Sequence, residues 1–88
     1  MRHPGDWMQL PTDERILEAL HSSKMILSPS VIGKNIGRSR EEVTRRLSVL
    51  VDYGLITRVD RGYYKITDLG EQYLEGELDT SEIEPEDE

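Results

Sequence analysis

The chain has 88 residues, no cysteine and a formal net charge of −7. That length limits it to one domain, and the absence of cysteine excludes disulfides and thiolate metal sites. His3 and His21 stand far apart in sequence and offer no cluster for another kind of metal centre, so no cofactor is expected. No apolar run approaches the roughly 18 residues of a membrane span, and the first residues lack the apolar core of a signal peptide. A cytoplasmic protein is the expectation.

The charge is unevenly spread. Residues 1–33 carry a net −1, residues 34–65 a net +4 and residues 66–88 a net −10. Arginine outnumbers lysine eight to three. An acidic surface poor in lysine suits a protein kept dispersed in high salt, while the basic stretch marks the middle of the chain as the place to look for an anionic partner.

Met1 to Gln9 reads as a loose arm, interrupted by Pro4-Gly5, with Trp7 and Met8 apolar enough to dock. Thr12 is placed as an N-cap, and Asp13 and Glu14 follow in the first turn, where the helix dipole favours acids. Ile16, Leu17 and Leu20 form one face of a helix over about 12–22. Met25-Ile26-Leu27 is a short apolar run suited to a small strand.

Ser28-Pro29 is a helix start, a capping hydroxyl followed by proline at the first helical position. Val31, Ile32 and Ile36 make the buried face, and Gly37 ends the helix in a left-handed conformation. Ser39 then caps the next helix, with Glu42 completing a capping box. Val43, Leu47, Leu50 and Val51 give that helix one apolar face up to about Tyr53, and Gly54 terminates it. Leu55–Val59 and Tyr63–Thr67 flank Asp60-Arg61-Gly62 and predict a short hairpin. Strand alternation sends Tyr64 and Ile66 to the core and Tyr63 and Lys65 outward. Asp68 and Glu71 suggest a capping box for a last helix over about 69–78, and the acid-rich residues 79–88 are expected to be disordered.

The order is helix, short strand, helix, helix, two-stranded wing, C-terminal helix. This is an α+β winged helix-turn-helix, with a flexible arm at 1–9, the domain at 10–78 and an acidic tail at 79–88. Such a fold presents its third helix to the DNA major groove, N-terminal half first. With Val43 at the centre of the buried face, Glu41, Thr44, Arg45 and Ser48 fall on the opposite side, and Arg46 lies near the edge of the buried stripe. Arg45 has the reach to donate bidentately to guanine. Thr44 and Ser48 suit bases or phosphates, and Arg38 and Arg40, beside the capping Ser39, suit phosphate. Arg46 belongs to the same arginine group. Arg58, Arg61 and Lys65 line the wing. A solvated helix face and a hairpin with ordinary solubilising charges are the plainer readings of the same residues.

Several segments carry a resemblance: Trp7-Met8, Asp13 with Ile16-Leu17-Glu18, Ser28–Ile32, Arg46-Leu47, Tyr53-Gly54-Leu55, Gly62–Thr67 and Gly70–Asp79. In their order they resemble the small winged-helix transcriptional regulators of halophilic archaea that are similar to the repressor of a halophilic archaeal phage, within the MarR- and ArsR-like set. The resemblance covers about residues 7–79. It implies a homodimeric regulator that binds double-stranded DNA in a high-salt cytoplasm. With no separate activation domain in view, repression is expected rather than activation. The sequence departs from the metal-sensing ArsR-like members, whose cysteine ligands it lacks, so metal sensing is not expected.

No nucleophile–base pair or glycine-rich phosphate loop stands out, so an enzyme is not expected. No residues define a pocket for a small-molecule effector. A winged-helix module for protein–protein interaction, without DNA binding, remains the alternative reading.

Overall fold

The computed structural model describes residues 1–24 and 26–85. Four helices, α1 (Thr12–Ser23), α2 (Pro29–Ile36), α3 (Arg40–Asp52) and α4 (Asp68–Leu74), surround a two-stranded antiparallel wing, β1 (Ile56–Asp60) and β2 (Tyr63–Ile66). The order is that of an α+β winged helix. Leu27 extends the wing by one residue: its N–H donates to Tyr64 O and its carbonyl accepts from Tyr64 N–H, both at 2.9 Å. Of the small strand expected over Met25–Leu27, Met25 lies outside the described residues.

The core gathers apolar side chains from every helix, but of the face expected on α2 only Ile32 is fully buried: Ile36 is partly buried and Val31 is 44% exposed. Ile16, Leu17, Leu20, Ile32, Val43, Leu47, Leu50, Leu55, Ile56 and Tyr73 are all almost completely excluded from solvent, and Leu27 and Tyr64 close the wing side. The wing alternates as its sequence predicts, Tyr64 inward and Tyr63 and Lys65 outward. A bulge between Arg58 and Asp60 breaks the register near the tip.

The helix ends follow local chemistry, with two corrections. The Ser28 hydroxyl accepts from Val31 N–H and the Ser39 hydroxyl from Glu42 N–H, so α2 and α3 start where their caps stand. Thr12, by contrast, is buried inside the first turn of α1, and Pro11 occupies the cap position with no side-chain bond. The cap of α4 is Thr67 rather than Asp68: its hydroxyl accepts from Gly70 N–H at 3.2 Å and donates to Gly54 O at 2.6 Å. That double use ties the end of β2 to the turn after α3. The last helix ends at Leu74, short of the expected 78.

The chain ends depart furthest from expectation. Residues 1–9, read as a loose arm, dock across α1 and the C-terminal segment. His3 pairs with Asp79, Gly5 N–H donates to Thr80 Oγ1 at 2.6 Å, and the Trp7 indole N–H donates to Thr80 O at 3.0 Å. Trp7 also stacks on Tyr53 with ring centroids 3.6 Å apart and planes 2° from parallel. Residues 80–82 form one turn of 3-10 helix around the fully buried Thr80, where disorder was expected. The last three residues of the expected tail, 86–88, lie outside the described residues.

Candidate nucleic-acid interface

The helix-turn-helix is set by two glycines. Gly37 takes φ +75° at the end of α2, a conformation that favours a residue without Cβ. Gly33, one turn earlier, lies so close to the turn that a Cβ there would sit 2.6 Å from Arg38 O. Its own carbonyl accepts from the N–H groups of both Gly37 and Arg38, at 2.8 and 3.0 Å. The chain therefore reverses tightly and delivers Arg38, Ser39 and Arg40 to the start of α3.

Val43, Leu47 and Leu50 fix the inward face of α3 with no exposure. The opposite face is open: Arg38, Ser39, Arg40, Glu41, Thr44, Arg45 and Ser48 are all exposed. Arg40, Glu41, Thr44 and Arg45 line a shallow depression on this face. Six of the ten residues singled out in the sequence, Arg38, Ser39, Arg40, Thr44, Arg45 and Ser48, thus share one exposed surface.

Arg46 does not join them. Its Nε donates to Asp13 Oδ1 and its Nη2 to Asp13 Oδ2, both at 2.8 Å, and Nη2 also reaches Trp7 O at 3.3 Å. The Arg46 side chain is 11% exposed and that of Asp13 is fully buried. Donating to the Asp13 carboxylate raises the Arg46 pKa further, against the cost of burial. The guanidinium is consumed inside the protein, so Arg46, expected among the nucleic-acid contacts, does not offer its charge to the open face. A position at the edge of an apolar stripe can turn either way, and here a carboxylate 33 residues upstream decided it.

On the wing, Arg58, Arg61 and Lys65 are exposed. Arg58 is partly committed. Its Nη2 donates to Tyr64 Oη at 3.2 Å, and its guanidinium carbon lies 5.4 Å from the centre of that ring. This contact braces the arginine without removing it from the surface. Arg61 stands at the turn, and the Asp60 carboxylate accepts its backbone N–H at 2.6 Å. Val59 and Tyr63, 44% and 48% exposed, add apolar surface to the outer wing that the basic residues alone did not suggest. For Tyr63 the signal was present in the strand alternation. For Val59 it was hidden by the bulge.

The profile of the winged helix-turn-helix phage repressor family matches residues 1–86. The chain belongs to that family. This phage-repressor-family chain is 42% identical over 88 residues to the repressor protein of Halobacterium phage phiH, with 96% of this chain and 98% of that one covered. Its structure is similar to the crystal structure of a PhiH1 repressor-like protein from Haloarcula marismortui, with a TM-score of 0.85, 38% identity and 97% of each chain covered. The docked N-terminal residues fall within the family match, as does the helix-turn-helix. Among the described residues no helix is long and apolar enough to cross a membrane.

Proposed function

We propose that this member of the phage repressor family is a sequence-specific, DNA-binding transcriptional repressor, and that it acts as a homodimer with one α3 in the major groove of each half-site. The observation that carries this reading is the open face of α3. Four side chains able to touch bases, Glu41, Thr44, Arg45 and Ser48, lie outward on a helix whose inward face is fully buried. Arg45 donates to guanine, Thr44 and Ser48 reach bases or phosphates, and Arg38 and Arg40 hold phosphates at the helix start. Arg58, Arg61 and Lys65 steady the wing on the neighbouring backbone.

Both relatives belong to a halophilic organism or its phage. Molar salt removes most of the gain from counterion release. The protein then depends on base contacts, shape and apolar surface such as Val59 and Tyr63, and its salt dependence is shallower than its basic residues alone imply.

Fluorescence anisotropy on DNA from upstream of its own gene, against unrelated DNA and across a salt series, tests this. Tight binding to one sequence that persists in high salt is the expected result. Absence of binding to any DNA, with retention of a specific protein partner, would replace it with the interaction-module reading.

A further inference from the structure

A cleft of about 510 Å³ opens between the end of α1, Ile26, β2 and α4. That is within the size range of small-molecule sites, about 300–1,000 Å³. Leu20, Ile26 and Ile66 give it apolar walls, and Lys24, Lys65, His21 and Glu71 supply its polar groups. Its charges are unequal. Glu71 turns toward His21, with Oε2 3.5 Å from Nδ1, whereas neither Lys24 nor Lys65 pairs with a carboxylate among the described residues. Two lysines against one carboxylate leave the lining net positive beside an apolar wall, on a chain of net charge −7.

Lys24 is also the one non-glycine among the described residues with positive φ, +53°. It caps α1, with its N–H donating to Leu20 O at 3.2 Å. Glycine suits this conformation better. A lysine there meets the negative end of the helix dipole, and from the same place it brings its charge to the cleft.

We propose that this cleft binds a small organic monoanion with an apolar body, its carboxylate held between Lys24 and Lys65 and its body against Leu20, Ile26 and Ile66. The single carboxylate of Glu71 in the lining disfavours a dianion. Lys65 is also one of the wing residues assigned above to the DNA backbone, so the ligand and DNA compete for its ammonium. By linkage each weakens the other. The regulatory half of this proposal rests on the DNA-binding reading, and the binding half does not.

Octanoate is the probe, with acetate supplying the charge without the body and 1-octanol the body without the charge. Amide shifts in a nitrogen-15 spectrum of the intact protein should saturate with octanoate and cluster around Leu20, Ile26, Lys65, Ile66 and Glu71. Acetate should leave them unmoved and 1-octanol should bind more weakly. Lys24→Gly keeps the left-handed cap and should melt no lower than the parent, yet lose about tenfold in octanoate affinity, the scale of one charge-assisted contact. Octanoate should also lower the DNA affinity of the parent and leave that of Lys24→Gly much less affected.

Shifts that never saturate, that are equal for octanoate and 1-octanol, or that survive Lys24→Gly unchanged would overturn the site. If octanoate binds as described while DNA does not bind at all, the site stands and the DNA reading falls. If DNA binds and octanoate does not, the reverse holds.

Discussion

Arg46 meets Asp13 edge to edge, two parallel N–H···O bonds of 2.8 Å each, in a position that water hardly reaches. The pair joins the start of α1 to the middle of α3. Asp13 uses its remaining capacity on the backbone N–H of Gln9 at 3.0 Å, which draws the N-terminal segment into the same knot. The rotation of α3, and with it the direction of Arg45, is therefore set by a charge pair as well as by Val43 and Leu47.

Removing one partner leaves a charge buried and unpaired. Arg46→Met is expected to cost about 3–5 kcal/mol of folding stability, because the Asp13 carboxylate has no route to water. Asp13→Asn should fall short of that, since an amide can still accept one bond from the guanidinium. Urea unfolding of both variants checks the order. A surface-like loss under about 1 kcal/mol for Arg46→Met would contradict the buried pair.

Arg45→Ala and Arg38→Ala should fail in different ways. Loss of a base contact at Arg45 is expected to cost about 1–3 kcal/mol on the preferred sequence and to relax preference at that base pair. Loss of a phosphate contact at Arg38 should weaken all sequences alike and reduce the salt slope by about one ion. Anisotropy titrations with each variant on preferred and altered sites separate the two. Identical profiles would show that α3 does not sit in the groove as proposed.

Gly33→Ala probes the turn. Alanine favours a helix over glycine by about 0.5–1 kcal/mol, but its Cβ would press on the Arg38 carbonyl at 2.6 Å, and backbone cannot rotate away. Overpacking of that kind costs about 1–3 kcal/mol, so the clash wins. A lower melting temperature and weaker DNA binding are expected. A variant that melts at or above the parent would mean that the turn relaxes freely.

Tyr73 provides a pH signature. Its ring is buried on the inner face of α4, and its hydroxyl donates to Glu14 Oε2 at 2.6 Å. Burial first, and then that hydrogen bond, raise its pKa above the ordinary value of 10.0. The fold binds the neutral phenol, so this contribution is complete below the unfolded value of about 10 and is lost as pH rises through the higher folded value. Thermal melts above pH 10 should show the parent losing stability faster than Tyr73→Phe. Parallel curves would rule out Tyr73 as the source.

Local signals carried most of the helix-turn-helix. The 43, 47, 50 spacing gave the phase of α3, Ser39 its start, and Gly37 the turn before it, because each acts through neighbours within one helical turn. The exposed face of α3 followed from the same arithmetic. Arg46 was misplaced because its fate depends on Asp13, and no periodicity reports a partner in another helix. The docking of residues 1–9 was hidden for a similar reason. Its partners are Thr80 and Tyr53, and neither residue stands out until the fold brings it near. Thr67 is hard to tell from Asp68 as the cap, because the acid beside it makes an equally good local pattern.

The meeting of the two chain ends has a consequence for the order in which the protein is completed. Trp7, Gly5 and His3 find their partners at 79–80, some seventy residues later. During synthesis α1, α2 and α3 can form and pack, with Trp7 already able to meet Arg46 and Tyr53, while the contacts of His3 and Gly5 wait for residues 79–80. That segment carries Trp7, whose carbonyl takes a bond from Arg46 and whose ring covers Tyr53 at the end of α3. The segment that braces α3 is thus fully anchored only once residue 80 has been made, and a nascent chain stalled before that point would carry Trp7 without its bond to Thr80.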